Sequence, residues 1–290
     1  MTGKFHKYLI LAALLPWLGA CSTGQMVART STTIMDSNVE AMNRETDLAL
    51  AEASMPANLK LIEGLIQEDP NNPELLTYAA QGFYGYAFGF VELNDQPRAA
   101  MLYDRGTGYG KRALQTLGVD IELATAGVDE IDRAVGKLGK KAVPALFWTA
   151  SNWAKLIDLQ RTDPAYIAQL AATERLMHRV LELQPEFYYG GAYVYYGVYY
   201  GSRAPMLGGD YARSEDFFAS ANAVSDGKLL MVDVLQAEYL ERQRLDQQQF
   251  HRLLTRVVND PIGSFPEMEL ANQVARERAR YLLEMEADWF

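Results

Sequence analysis

The placement of proline constrains this 290-residue chain more than any other feature of its sequence. In "DPAYIAQLAATERLMHRVLELQP", Asp163 offers a side-chain cap, Pro164 stands at a first helical position and Pro185 stops the run. Between them Tyr166, Leu170, Thr173, Met177, Val180 and Leu181 fall on one helical stripe. The segment "GLIQEDPNNPELL" repeats the grammar, with one helix ending before Pro70 and another starting at Asn72-Pro73. Alternating strand patterns are nearly absent, so short helices joined at proline corners predict an all-α stack of helical hairpins.

Two of these corners introduce matching helices. Gly82 lies twelve residues after Pro70, and Gly197 twelve after Pro185, each inside an aromatic-rich segment. Internal similarity of this kind suggests a tetratricopeptide-like α-α superhelix. The corners are 115 residues apart, which fits two related layers with helices inserted between them better than consecutive short repeats.

The second of those segments, "EFYYGGAYVYYGVYYG" from Glu186 to Gly201, holds seven tyrosines in sixteen residues. A helical wheel sorts them into Tyr189, Tyr193, Tyr196 and Tyr200 on one stripe and Tyr188, Tyr195 and Tyr199 on a second, with Gly190, Gly197 and Gly201 on a third. Glycine inside a helix costs about 0.5–1 kcal/mol against alanine, so the glycine stripe predicts close approach of another helix. The tyrosine stripes fit either the helical core or the lining of a cavity. Burying a hydroxyl without a partner costs about 1–3 kcal/mol, and a dry core would use phenylalanine or leucine. On the cavity reading, Tyr189, Tyr193, Tyr196 and Tyr200 line it, joined by Tyr84 and Tyr86 from the earlier helix. Arg203, just past the tyrosines, either meets a ligand carboxylate or faces the negative end of its own helix.

Residues 1–20 put Lys4 and Lys7 ahead of an apolar run from Tyr8 to Leu18, too short to span a membrane, and end on small residues, the layout of an export signal. Leu18-Gly19-Ala20-Cys21 resembles a bacterial lipobox, which makes Cys21 the expected lipidation site and residues 21–33 a lipidated tether. Residues 34–290 then form a single domain. Ser22 after the cysteine points to the outer membrane, with the body facing the periplasm. Cys21 is the sole cysteine, so no intramolecular disulfide supports the fold. The formal charge of −10 becomes more negative once Lys4 and Lys7 leave with the signal, which argues against nucleic acid or an anionic lipid surface as partner.

Catalytic motifs find little support. "DRGTGYGK" from Asp104 superficially resembles a phosphate loop but has Arg112 where a hydroxyl belongs and no strand before it; Gly106, Gly108 and Gly110 are better read as helix-packing positions. His6, His178 and His251 are scattered, so neither a metal centre nor a histidine-based nucleophile is expected, and no cofactor. Asn152 and Asn272, each inside a helical pattern, read as buried hydrogen-bonding links between helices.

The lipobox together with "AMLYDRGTGYGKRAL", "VPALFWTASNWAKLIDL", "GGAYVYYGVYYGSRAPMLGGDYARSEDFF" and "LANQVARERARYLLEME", in this order, resembles the T-component family of TRAP (tripartite ATP-independent periplasmic) transporters. The resemblance implies an all-helical lipoprotein that pairs with the solute-binding P component of such a system. It also implies a homo-oligomer, expected as a trimer, with an internal channel for a lipophilic or organic-acid ligand. A transport accessory and not an enzyme is therefore expected. The alternative is a scaffold lipoprotein whose helical groove recruits envelope-assembly proteins and takes no small molecule.

Overall fold

The computed structural model describes residues 23–290; the signal segment and Cys21 lie outside the described residues. The described residues contain helices and no strand. In chain order they are α1 (Thr23–Thr30), α2 (Thr32–Asn43), α3 (Leu48–Glu68), α4 (Pro73–Tyr86), α5 (Gln96–Thr116), α6 (Val128–Val135), α7 (Val143–Leu159), the short α8 (Pro164–Ile167) and α9 (Leu170–Leu183). There follow α10 (Phe187–Gly201), α11 (Tyr211–Ser225), α12 (Met231–Gln236), α13 (Gln247–Asn259), α14 (Glu269–Glu284) and α15 (Glu286–Trp289), besides a single α turn at Arg242–Arg244 and 3-10 turns at Lys140–Ala142, Pro205–Leu207 and Pro266–Met268. Two π turns, Ala87–Val91 after α4 and Ala237–Glu241 after α12, interrupt the regular winding.

Helix starts follow the capping rule. Asp47, Asn72, Asp95, Asp163, Asp210 and Asp246 each accept backbone N–H groups of the first turn through the side chain. Proline occupies the first turn of α4, α5 and α8, where its missing N–H is not needed. The run from Pro164 is not one helix, however. It breaks between α8 and α9, where Gln169 turns back to the Ala165 carbonyl and accepts a hydrogen bond from the Trp153 indole at 2.9 Å. Within residues 21–33, expected as a tether, Thr23–Thr30 is helical and a second helix begins at Thr32, with Ser31 in a turn between them. Ala28 of α1 is fully buried, and Arg29 Nε lies 3.1 Å from Asp69 Oδ2 at the end of α3.

Successive helices pack as layers. α4 lies between α3 and α5, α7 packs on α4, α5 and α9, and α10 pairs with α11. Small residues set the closest approaches. A Cβ on Gly106 or Gly110 of α5 would collide with Asn152 or Thr149 of α7, and one on Gly197 of α10 would meet three ring atoms of Phe218 at 2.9 Å. Asn152 Nδ2 donates to the Ala80 and Trp148 carbonyls, linking α7 to α4, while Asn272 accepts from Leu230 N–H and donates to the Lys228 carbonyl. The pattern-breaking asparagines are thus buried links between helices.

The layers curl until the ends of the chain meet, with α14 touching α2 and α3. A first core, including Leu75, Leu114, Leu146, Trp153 and Leu176, fills the N-terminal layers. A second, including Phe83, Tyr103, Phe218 and Leu240, joins the two halves, and a third around Phe250, Leu254, Ala275 and Leu282 holds α13 against α14. What the curl encloses is the candidate site.

Candidate functional site

A cavity of about 280 Å³ lies at the centre of the curl, walled by helices from both ends of the chain. Met35, Val39 and Met42 of α2 cover one side, Leu59 and Ile62 of α3 continue it, and Val194 and Val198 of α10 face Leu235 and Val274. Its aromatic side is a contiguous block. Trp148 of α7 stands 5.5 Å from Tyr84 and 4.9 Å from Tyr188, ring centre to ring centre. Such walls suit an apolar guest, because little polar surface is stripped of water when one enters.

The start of α10 departs from helical geometry. Tyr188 (φ 49°, ψ 49°), Tyr189 (φ 54°, ψ 42°) and Gly190 (φ 83°, ψ 27°) form a left-handed turn. For the two tyrosines this costs about 1–2 kcal/mol each. The turn swings Tyr188 inward against Phe147 and Trp148, and sends Tyr189 away to an edge contact with Phe265 at 4.9 Å. One of the strained residues, Tyr188, thus stands in the cavity wall.

Next to the aromatic block the wall becomes polar. The ammonium of Lys155 donates to Glu92 Oε1 at 2.9 Å, to the Tyr239 hydroxyl at 3.0 Å and to Asp158 Oδ2 at 3.4 Å. Glu92 also accepts from Arg278 Nη2 at 2.9 Å and from the Tyr103 hydroxyl, and Arg278 forks onto both oxygens of Glu238 at 2.9 Å. Burial alone would push the Glu92 carboxyl up, but the charges of Lys155 and Arg278 and the Tyr103 hydrogen bond overcome it and hold it at about 2. Burial drives the Tyr84 hydroxyl the other way, to about 12, so it stays a neutral donor. Both π turns feed this cluster, since Glu92 follows the first and Tyr239 lies in the second. A π turn displaces the side chains after it relative to the α-helical register and is common at functional sites.

The family model described as TRAP transporter T-component matches residues 44–290. The chain belongs to that family. An uncharacterized protein of Treponema pallidum (strain Nichols) is 21% identical over 262 residues, covering 85% of this chain and 81% of its own length. Membership associates this T-component with TRAP transport and with the cell envelope. No helix among the described residues is long and apolar enough to cross a membrane.

Of the side chains expected to line a cavity, Tyr84 stands in the wall of this T-component and the others stand elsewhere. Tyr86 accepts a hydrogen bond from Arg98 and packs on Phe90. Tyr196 is 3% exposed, with its hydroxyl 2.8 Å from Glu174 Oε1; Tyr193 and Tyr200 pack on Phe217, and Tyr189 on Phe265. Arg203 gives Nε and Nη2 to the Tyr199 carbonyl and lies over the Tyr199 ring at 4.1 Å, at the end of its own helix. The wall takes Tyr188 and Tyr195 from the second stripe. Lys155 and Tyr239 were not singled out in the sequence. A lysine three residues before an aspartate reads as a solvated helix pair, and only Glu92, 63 residues away in sequence, gives it another meaning. His178 pairs with Glu182 and His251 with Glu286, on separate helices, and no group of three metal-ligating side chains occurs among the described residues.

Proposed function

We propose that this T-component is a lipid-anchored, periplasm-facing accessory that shelters a small lipophilic ligand in its central cavity and exchanges it with the solute-binding P component. The observation that carries this reading is the cavity itself, a largely apolar space walled by both ends of the chain, with the strained Tyr188 in its wall. Lys155, the charged side chain of the wall, is neutralised in place by Glu92 and Asp158, which supports a role in carriage.

In this proposal the lipidated Cys21 holds the body at the outer membrane, and the stacked hairpins form a tetratricopeptide-like superhelix that offers the P component a docking face. Homo-oligomers, trimers foremost, would set several such cavities side by side. Native mass spectrometry of the purified protein tests the central point. A retained small molecule that leaves on mixing with the cognate P component is the expected result. Protein that never retains a ligand and binds other envelope proteins would replace this reading with a scaffold role.

A further inference from the structure

The polar side of the cavity restricts the kind of ligand it can hold. Lys155 is the one charged side chain among the lining residues, and its three N–H donors already have three acceptors, Glu92, Tyr239 and Asp158. Behind it, Arg278 is engaged by Glu92 and Glu238. Lys155 and Arg278, with the exposed Arg161 lying 3.8 Å from Asp158, therefore share three carboxylates, none of them among the lining residues. A ligand carboxylate would add a fourth anion and could gain a charged donor only by displacing Asp158. A ligand ammonium would meet the Lys155 ammonium and no carboxylate in the wall. Neither ionised head finds an unpaired opposite charge to repay its lost hydration.

The hydroxyls of Tyr84 and Tyr188 differ from the rest of the cluster. Tyr103, Tyr195, Tyr196 and Tyr239 all have hydrogen-bond partners in the protein, on Glu92, Thr173, Glu174 and Asp158 respectively. Tyr84 and Tyr188 line the cavity and have no such partner among the described residues. Their rings flank Trp148, and the Tyr84 hydroxyl is close enough to help raise that of Tyr188. Two neutral donors thus stand together beside an aliphatic stretch formed by Leu59, Ile62, Val194, Val198, Leu235 and Val274, while the amides of Asn38, Asn43, Asn58 and Gln81 and the Ser151 hydroxyl border the cavity as well.

We propose that the cavity selects an uncharged amphiphile, whose hydroxyl or carbonyl head accepts hydrogen bonds from Tyr84 and Tyr188 while its apolar tail lies along the aliphatic wall. This rests on the carriage reading above and names the ligand class within it.

The test is a titration of the purified Cys21→Ser protein, free of detergent, at pH 7.5 with 1-decanol, decanoate and decylammonium, read by tryptophan emission. Trp148 lies in the wall, and a Trp148→Phe variant identifies its share of the signal. Decanol is expected to bind at least about ten-fold more tightly than either ion, because an ionised head loses charge solvation with no unpaired opposite charge to replace it. Tyr84→Phe and Tyr188→Phe should each weaken decanol roughly three- to ten-fold, the range of one hydrogen bond, and Tyr196→Phe, outside the wall, should not. Decanoate binding as tightly as decanol would overturn the inference and leave the cavity reading standing. Decanol binding that is indifferent to both wall phenylalanines would overturn the assigned seat. Failure of all three probes to change Trp148 emission would overturn both this inference and the carriage reading.

Discussion

Lys155 Nζ and Glu92 Oε1 lie 2.9 Å apart with both side chains nearly closed off from solvent, and they tie α7 to the π turn after α4. Breaking a buried pair by removing one partner costs about 3–5 kcal/mol, because the remaining charge loses its counterion. Glu92→Leu is expected to cost this much in urea denaturation, since it deprives both Lys155 and Arg278. The double variant Glu92→Leu, Lys155→Met should recover part of the loss.

The same pair sets an acid limit. The Glu92 carboxyl titrates at about 2 in the folded chain and near 4.5 when unfolded, so its contribution is fully present above about 4.5 and is lost as pH falls toward 2. The depression corresponds to stability on the order of 3 kcal/mol. Denaturation curves taken from pH 6 to pH 2 should show this loss in the parent protein and a shallower one in Glu92→Gln.

Gly197 has no room for a side chain against Phe218. Gly197→Leu should cost about 1–3 kcal/mol through overpacking between α10 and α11. An unchanged melting temperature would contradict the packing described for this pair.

Tyr196 is buried against Glu174 and outside the cavity wall. Tyr196→Ala should therefore cost about 3–5 kcal/mol, as large-to-small aromatic changes in a core do, and leave the affinity for any bound ligand unchanged. Tyr195→Ala, which opens the wall, should alter ligand affinity as well. Denaturant melts read beside a ligand titration separate the two.

If Cys21 carries the lipid, Cys21→Ser should leave the body folded and move it to the soluble periplasmic fraction. Membrane fractionation checks this, and a variant that stays membrane-bound would refute the anchor.

Much of the architecture was legible because its causes are local. Asn72-Pro73 and Asp163-Pro164 start helices through capping and proline stereochemistry, and Gly106, Gly110 and Gly197 mark close approaches that a side chain would obstruct. The faces of the tyrosine helix were less legible. A wheel drawn from Glu186 assumes uniform winding, and the left-handed turn at residues 188–190 breaks that assumption at the first tyrosines. The cavity wall itself depends on α2, α12 and α14, which are far apart in sequence, so no window of residues contains the pattern. Lys155 and Arg278 became visible as a cluster only once the curl had brought them to Glu92.

That curl also orders events in time. Arg278 is 186 residues from Glu92, so their hydrogen bond closes one of the longest loops the chain can make. Hairpins such as α3 with α4 need only a short connection and can form early, whereas contacts this remote must wait until the intervening entropy has been surrendered. The chamber is therefore a late product of folding. An incomplete chain still lacking α14 has no Leu270, Ala271 or Val274 in its wall, so on the carriage reading a guest would meet the full wall only in a finished molecule.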